Sequence, residues 1–245
     1  MSWQKENILI LVKAAPNWST KYKEYEICTA GINENDEWRR LYPFPEDIML
    51  KKDIKLWDRI EVETAVPSAD PRPESRKINA ESIKKIDYID NRDERRKFLE
   101  NVMEPSLEIP MKEKRTMTVI KPIINNFTIK QKIPEVIQIA LDGKPFKRSP
   151  YGDLGLYYNW QCPKPCRYCR DRSHLTQCLD WGAHVLYRRY QDEKEAITKV
   201  KQMCYYKMKY DLDTWFALGT HSRRPWKKWM IVGLLWMKKK PSQVS

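Results

Sequence analysis

Apolar positions along the chain fall mostly in short runs and two-residue alternations, and only twice in a clear helical stripe. Residues 7–14 (NILILVKA) are almost continuously apolar and are bounded by Pro16, which predicts a buried strand. Residues 25–33 (YEICTAGIN) and 37–42 (EWRRLY) flank the turn-forming stretch 33–36 and predict a β-hairpin. In residues 56–65 (LWDRIEVETA), Ile60, Val62 and Thr64 alternate with Arg59, Glu61 and Glu63, so one face is buried and the other wet. Residues 67–75 (PSADPRPES) read as a proline-rich loop. Asn91 is placed to cap a helix whose Phe98, Leu99, Val102 and Met103 share a face, and Pro105 closes it.

Residues 116–120 and 123–129 predict two strands around Pro122, and residues 154–161 (LGLYYNWQ) predict a strand leading into a cysteine-rich loop. Residues 192–209 form a charged helical pattern with Ile197, Val200, Met203 and Cys204 as its stripe. Residues 215–219 and 229–236 read as closing strands. Strands outnumber helices and their connections look local. The expected class is therefore α+β and β-rich, with a small antiparallel sheet in the first part, rather than a βαβ fold.

Charge divides the chain. Residues 1–143 carry 25 basic and 25 acidic side chains, whereas residues 144–245 carry 21 and 8, so the whole net charge of +13 lies in the second part. That part also holds six of the ten Trp, nine of the 13 Tyr, five of the six Cys and all three His. The shift predicts a charge-neutral domain over 1–143 and a basic, aromatic-rich α+β domain with a metal loop over 144–245, joined at the turn 142–145. The longest apolar run, 230–237, is far short of the roughly 20 residues that span a membrane. The start MSWQKE does not read as a secretory signal, and a cytoplasmic location is expected. Clustered cysteines in a reducing compartment point to metal rather than disulfides.

The cluster is CPKPCRYCRDRSHLTQC over 162–178, with Cys162, Cys166, Cys169 and Cys178 as thiol ligands and His174 between the last two. Four soft thiolates beside Lys164, Arg167, Arg170 and Arg172 suit a structural zinc ion, with an iron–sulfur cluster as the alternative. Which of Cys169, His174 and Cys178 completes the site is open on sequence alone. The spacing resembles the iron–sulfur motif of radical S-adenosylmethionine enzymes, but the chain after Cys169 is too short and too poor in glycine to build such an enzyme. It also matches half of a zinc-deaminase signature, yet no histidine precedes His174 to supply the other half.

Residues 221–229 read HSRRPWKKW and residues 238–240 read KKK. Lysine and arginine neutralise phosphate, and tryptophan stacks on unpaired bases. Arg223, Arg224, Trp226, Lys227, Lys228 and Trp229, with Arg188, Arg189, Lys238, Lys239 and Lys240, are the candidate nucleic-acid contacts, and Arg39 and Arg72 are weaker candidates in the neutral part. No phosphate-binding glycine loop or nucleophile elbow occurs. Asp58, Glu61 and Glu63 leave a metal-dependent nuclease or RNA-processing enzyme as an alternative, and a protein-binding adaptor with a basic face as another.

The fragments CTAGI (28–32), WRRLYP (38–43), WDRIEV (57–62), DPRPES (70–75) and IKP (120–122), with DW (180–181), FALG (216–219) and IVGL (231–234), resemble those of an uncharacterised prokaryotic family. Residues 8–76 also resemble dual OB-domain proteins found in defence contexts. That resemblance implies an OB-like β-barrel and nucleic-acid handling. With the basic charge it leads to the expectation of a non-enzymatic nucleic-acid-binding protein, an accessory subunit of a larger Argonaute-like or CRISPR-type effector.

Overall fold

A computed structural model describes residues 2–19, 23–131, 154–168, 173–221 and 224–240. The apolar run at 7–14 lies in β1 (Gln4–Lys13), and its two faces serve two cores. Ile8 and Ile10 point into a barrel with Leu41, Phe44, Ile60 and Val62. Leu9 and Leu11 point out of it, into a core shared with a second sheet. A strand with no wet side loses its alternation, which is why its sequence reads as an unbroken apolar run.

A small hairpin, β2 (Asn17–Ser19) and β3 (Glu24–Glu26), follows β1. The barrel continues through β4 (Thr29–Asn33), β5 (Trp38–Leu41), β6 (Asp58–Ala65) and β7 (Ser75–Tyr88), and closes in the order β1-β4-β5-β7-β6. Neighbours are antiparallel except β5 and β7, which run parallel. The predicted hairpin is β4–β5. Its turn is fixed by Asn33, whose Oδ1 accepts from the backbone N–H groups of Asn35 and Glu37. β7 is absent from the sequence reading. Its 14 residues bury only Ser75, Ile78 and Ile83, and two register shifts against β6 erase any period-two pattern. Helix α1 (Glu46–Lys51) bridges β5 and β6 and places Ile48 and Met49 in the barrel core.

Helix α2 (Arg92–Val102) starts at Asn91, whose side chain accepts from the N–H groups of Asp93 and Glu94, as its sequence position predicts. A short helix α3 (Glu108–Lys112) leads to the second sheet. That sheet is built from β8 (Met117–Ile120), β9 (Ile123–Gln131), β10 (Leu154–Gln161), β11 (His174–Cys178), β12 (Leu212–His221) and β13 (Arg224–Lys238), in the order β8-β12-β13-β11-β10-β9. Between β11 and β12 lie α4 (Trp181–Arg188), α5 (Glu193–Lys201) and a π-helix (Gln202–Asp211). Trp215 and Ala217 of β12 face the core shared with β1, while Phe216 and Leu218 face a third cluster with Val200, Cys204 and Met208.

The fold is thus mixed and strand-dominated, with two sheet domains. The charge boundary and the sheet boundary differ. β8 and β9 precede residue 143 yet belong to the second sheet, so the change of sheet falls between α2 and β8. The turn at 142–145 lies outside the described residues. The helical pattern at 192–209 divides at Lys201 into α5 and the π-helix. No helix among the described residues is long and apolar enough to cross a membrane.

At one end of the barrel, buried Glu6 accepts hydrogen bonds from Asn33 Nδ2, Arg39 Nε (2.6 Å) and Thr64 Oγ1. Burial raises its pKa, but these bonds and the Arg39 charge outweigh burial and hold it below the ordinary 4.5. A depressed carboxyl pKa contributes stability above the unfolded value, and that stability is lost as pH falls through the lower folded value. Glu6→Ala, which leaves Arg39 buried beside one remaining carboxylate, is expected to cost about 3 kcal/mol near neutral pH. The gap to the parent protein in urea unfolding should narrow as pH drops below 4.5.

Candidate metal centre and basic surface

The cysteine loop joins β10 to β11. Trp160 and His174 stand opposite each other in register at the end of that hairpin, with ring centroids 4.5 Å apart. This pairing brings Cys162, just past β10, to His174: Sγ and Nε2 are 3.3 Å apart. Cys166 completes a group whose three ligand atoms all lie within 4.8 Å of one another. Two tetrahedral ligands of one zinc-sized ion, a thiolate and an imidazole, would be separated by roughly 3.5 Å, so the observed spacing suits a metal ion. Burial lowers the His174 pKa to about 4, which keeps the imidazole in its neutral, ligating form at physiological pH. The loop is held in place by two backbone donors, Lys164 N to Pro105 O (3.1 Å) and Arg167 N to Glu108 Oε1 (2.8 Å). It therefore leans on Pro105, between α2 and α3, and on the first residue of α3.

Cys178 stands apart from this group. It lies four residues along β11 from His174, about 13 Å at strand rise. Its thiol is buried in the cluster of Leu156 and Cys204, and burial pushes its pKa well above the ordinary range. Thr176, between the two, is occupied by the Trp160 indole N–H at 3.0 Å. Cys178 is a core residue here. Cys169 lies outside the described residues.

Arg39 and Arg72, weaker candidates for phosphate contact, are engaged inside the protein. Arg39 is 7% exposed and is taken by Glu6, Glu37 and the Trp38 carbonyl. Arg72 grips both oxygens of Asp70 and donates to the carbonyl of Thr220 on β12 at 3.0 Å. Beside it, the buried Glu74 carboxylate accepts from Thr116 N and Oγ1, both at 2.6 Å, and Arg40 donates to the Thr116 carbonyl. This cluster ties the barrel to the second sheet at β8 and β12.

The second domain's cations differ in availability. Arg188 and Arg189 at the end of α4, Lys228 on β13, and Lys238, Lys239 and Lys240 are exposed. Lys239 donates to the Tyr210 carbonyl at 2.6 Å, and Lys240 lies 3.1 Å from Asp93 across a solvent-exposed gap. Trp229, expected to stack, is packed against the β10–β13 core, and its indole N–H points at Met111 Sδ (3.2 Å). Arg223 lies outside the described residues, as do the side chains of Arg224, Trp226 and Lys227. The acids weighed for a nuclease are dispersed. Asp58 is buried on Lys85 and the Lys55 N–H, Glu61 faces Lys5 and Lys84, and Glu63 accepts from Asn79.

Family models divide the chain along the same line as the sheets. Residues 4–101, covering the barrel and nearly all of α2, match a domain of unknown function, DUF8758. Residues 118–245, more than half of the chain, match a second domain of unknown function, DUF8757. The chain belongs to the DUF8757 family. The DUF8757 portion carries nearly all of the six-stranded sheet, the Cys162/Cys166/His174 group that could hold a metal ion, and the exposed cations named above. Neither match links the chain to OB-domain defence proteins, and no curated protein matches it.

Sequence reasoning missed three exposed rings of the DUF8757 domain: Tyr206, Tyr210 and Trp236. Their signal was available, since Tyr206 and Tyr210 are four residues apart, but the helical stripe read from the sequence ends at Cys204 and takes neither ring into account. In metal analysis after exhaustive desalting, Cys162→Ser, Cys166→Ser and His174→Ala are each expected to lose bound metal. Cys178→Ser is expected to keep it and instead to lose about 1–3 kcal/mol of stability, through a hydroxyl placed in an apolar core.

Proposed function

We propose that the protein binds nucleic acid without transforming it, through the basic face of the DUF8757 domain, and that the Cys/His group holds a structural zinc ion. The observation that carries the binding reading is the set of exposed cations, Arg189, Lys228, Lys238, Lys239 and Lys240, on the part of the chain that holds the entire net charge of +13. Cations at this density neutralise phosphates and release counterions. Cys162, Cys166 and His174 supply soft donors for zinc, and the sequence offers Cys169, three residues after Cys166, as a fourth. The ion would clamp the open end of the β10–β11 hairpin, at the edge of the core that Cys162 enters and Cys166 packs against.

The barrel is read as OB-like. Three features support this. Leaving aside the β2–β3 hairpin, its strands close in the order first-second-third-fifth-fourth. The third and fifth are parallel. A helix bridges the third and fourth. OB barrels bind oligonucleotides across their second and third strands. Here those strands are β4 and β5, and Ala30, Ile32 and Trp38 lie in the core shared with the second sheet. A ligand is therefore directed to the DUF8757 face. In the same reading the protein is a cytoplasmic accessory subunit that lends cationic surface to a larger nucleic-acid-guided effector, and size-exclusion of native extract tests whether it travels in a heteromeric complex.

The direct test is anisotropy binding of labelled single-stranded RNA, single-stranded DNA and duplex DNA across a salt series. The expected result is a linear fall of log affinity with log salt. Exchange of Lys238, Lys239 and Lys240 for glutamine should flatten that slope by roughly one for each phosphate no longer neutralised. Weak, salt-insensitive binding to all three ligands would overturn the reading and leave the basic face for an acidic protein.

A further inference from the structure

Three large rings stand in water on the π-helix side of the second sheet. Tyr206 and Tyr210 are 54% and 57% exposed on the π-helix, and Trp236 is 48% exposed on β13. Wide i→i+5 turns are rare beyond a single turn and recur at functional sites, and they bring residues four to five apart onto one side. Tyr206 and Tyr210 are so related. Contacts tie the two rings together: the Tyr205 and Tyr206 centroids are 5.1 Å apart, and Lys209 Nζ lies 5.2 Å from the Tyr205 ring and 5.3 Å from the Tyr210 ring. Lys209 Nζ and Tyr205 Oη both donate to the Asn125 carbonyl, at 3.0 and 2.9 Å, which fixes this pair against β9.

Trp236 joins them by register. It stands opposite Thr214, and residues directly opposite in an antiparallel pair share a face. Thr214 Oγ1 donates to the Met208 carbonyl of the π-helix at 2.9 Å, so Trp236 is on the π-helix side. Lys238, opposite the buried Leu212, is on that side too, and Lys239 reaches the Tyr210 carbonyl. Lys207 is exposed on the same helix, and the exposed Asp211 at its end is the carboxylate that accompanies these cations.

We propose that Tyr206, Tyr210 and Trp236 form a stacking platform for the unpaired bases of a single nucleic-acid strand, with Lys207, Lys238 and Lys239 on its phosphates. The proposal rests on the nucleic-acid reading above and narrows it to single strands and to this patch of the sheet. Lysines alone would serve any polyanion. Exposed rings among lysines fit a ligand that offers flat apolar faces along a negative backbone, and a duplex hides those faces within its stack. Stacking tolerates any base, so the platform selects strandedness rather than sequence.

The full-length protein is titrated with labelled homopolymeric DNA and RNA strands and with a duplex, each across a salt series. The expected result is preference for single strands of either sugar. Tyr206→Ala, Tyr210→Ala and Trp236→Ala should each weaken single-strand binding by roughly fivefold to a hundredfold with an unchanged salt slope. Tyr206→Phe and Tyr210→Phe, which keep the rings, should bind like the parent protein, and circular dichroism checks that each variant is folded. If the alanine variants bind single strands as the parent does, the platform is wrong while the phosphate reading stands. If the parent protein binds no nucleic acid in a salt-dependent way, both fail together.

Discussion

The absence of a wet face on β1 is the constraint on which the rest of the structure depends. Ile8 and Ile10 fill the barrel while Leu9 and Leu11 fill the core between barrel and sheet, and each fully buried side chain of this kind is worth about 1.5–3 kcal/mol. The arrangement has a weakness: a slip of one residue would exchange one apolar set for the other, so hydrophobicity alone does not fix the register. Two other features do. Gly31 pairs with Ile10 where a Cβ would sit 2.1 Å from the Leu9 carbonyl oxygen, so only glycine fits there. Glu6, on the same strand, meets Asn33, Arg39 and Thr64 in one alignment only. Glycine and a buried charge set the register that the apolar residues leave open.

Sharing one core between two domains has a cost for surface function. β4 is buried along its whole length, and Arg40, Arg72 and Glu74 are committed to Thr116 and Thr220. Under the OB-like reading, the part of the barrel best shaped for an oligonucleotide is the part used to dock the second domain. The cationic surface is on the DUF8757 domain instead. Neutral charge balance in residues 1–143 fits a barrel whose ions pair internally, as Arg39 does with Glu6 and Lys85 with Asp58.

Elements with a single strong local cause were legible in the sequence. The cap at Asn91, the turn at Asn33 and the alternation at 60–64 each follow from one residue type in one place. β7 was not legible, because bulges scramble its alternation and most of its residues are half wet. The segment after Lys201 was legible as a helix with Met203 and Cys204 on its inner side, but its wider π turn was not, and the stripe carried no information on Tyr206 and Tyr210, which stand in water. At the metal group, spacing identified Cys162, Cys166 and His174. It also admitted Cys178, because a count along the chain does not show that the last cysteine has moved up a strand into a core. The charged residues were the least legible: a run such as WRRLY does not say which arginine is buried until its partner, Glu6, 33 residues earlier, is known.

The second sheet also has a seam. Its two halves, β9-β10-β11 and β8-β12-β13, meet where β11 runs parallel to β13 with Cys178 opposite Ile231. The seam is completed by the Leu179 N–H on the Ile231 carbonyl (2.7 Å) and by the Asp180 carboxylate, which accepts from the Leu234 N–H (3.0 Å) while capping α4 through the Ala183 N–H. Backbone pairing between the halves is confined to that seam, but their side chains share one core: Tyr158 and Trp160 of β10 lie 4.8 and 5.7 Å from the Phe216 ring of β12. The Cys/His group is therefore not insulated from the strands that carry the lysines: His174 stacks on Trp160 with centroids 4.5 Å apart, and Trp160 meets Phe216 of β12 edge-on. A disturbance at the loop end of the β10–β11 hairpin would thus reach the opposite half of the sheet through two rings rather than through the backbone ladder.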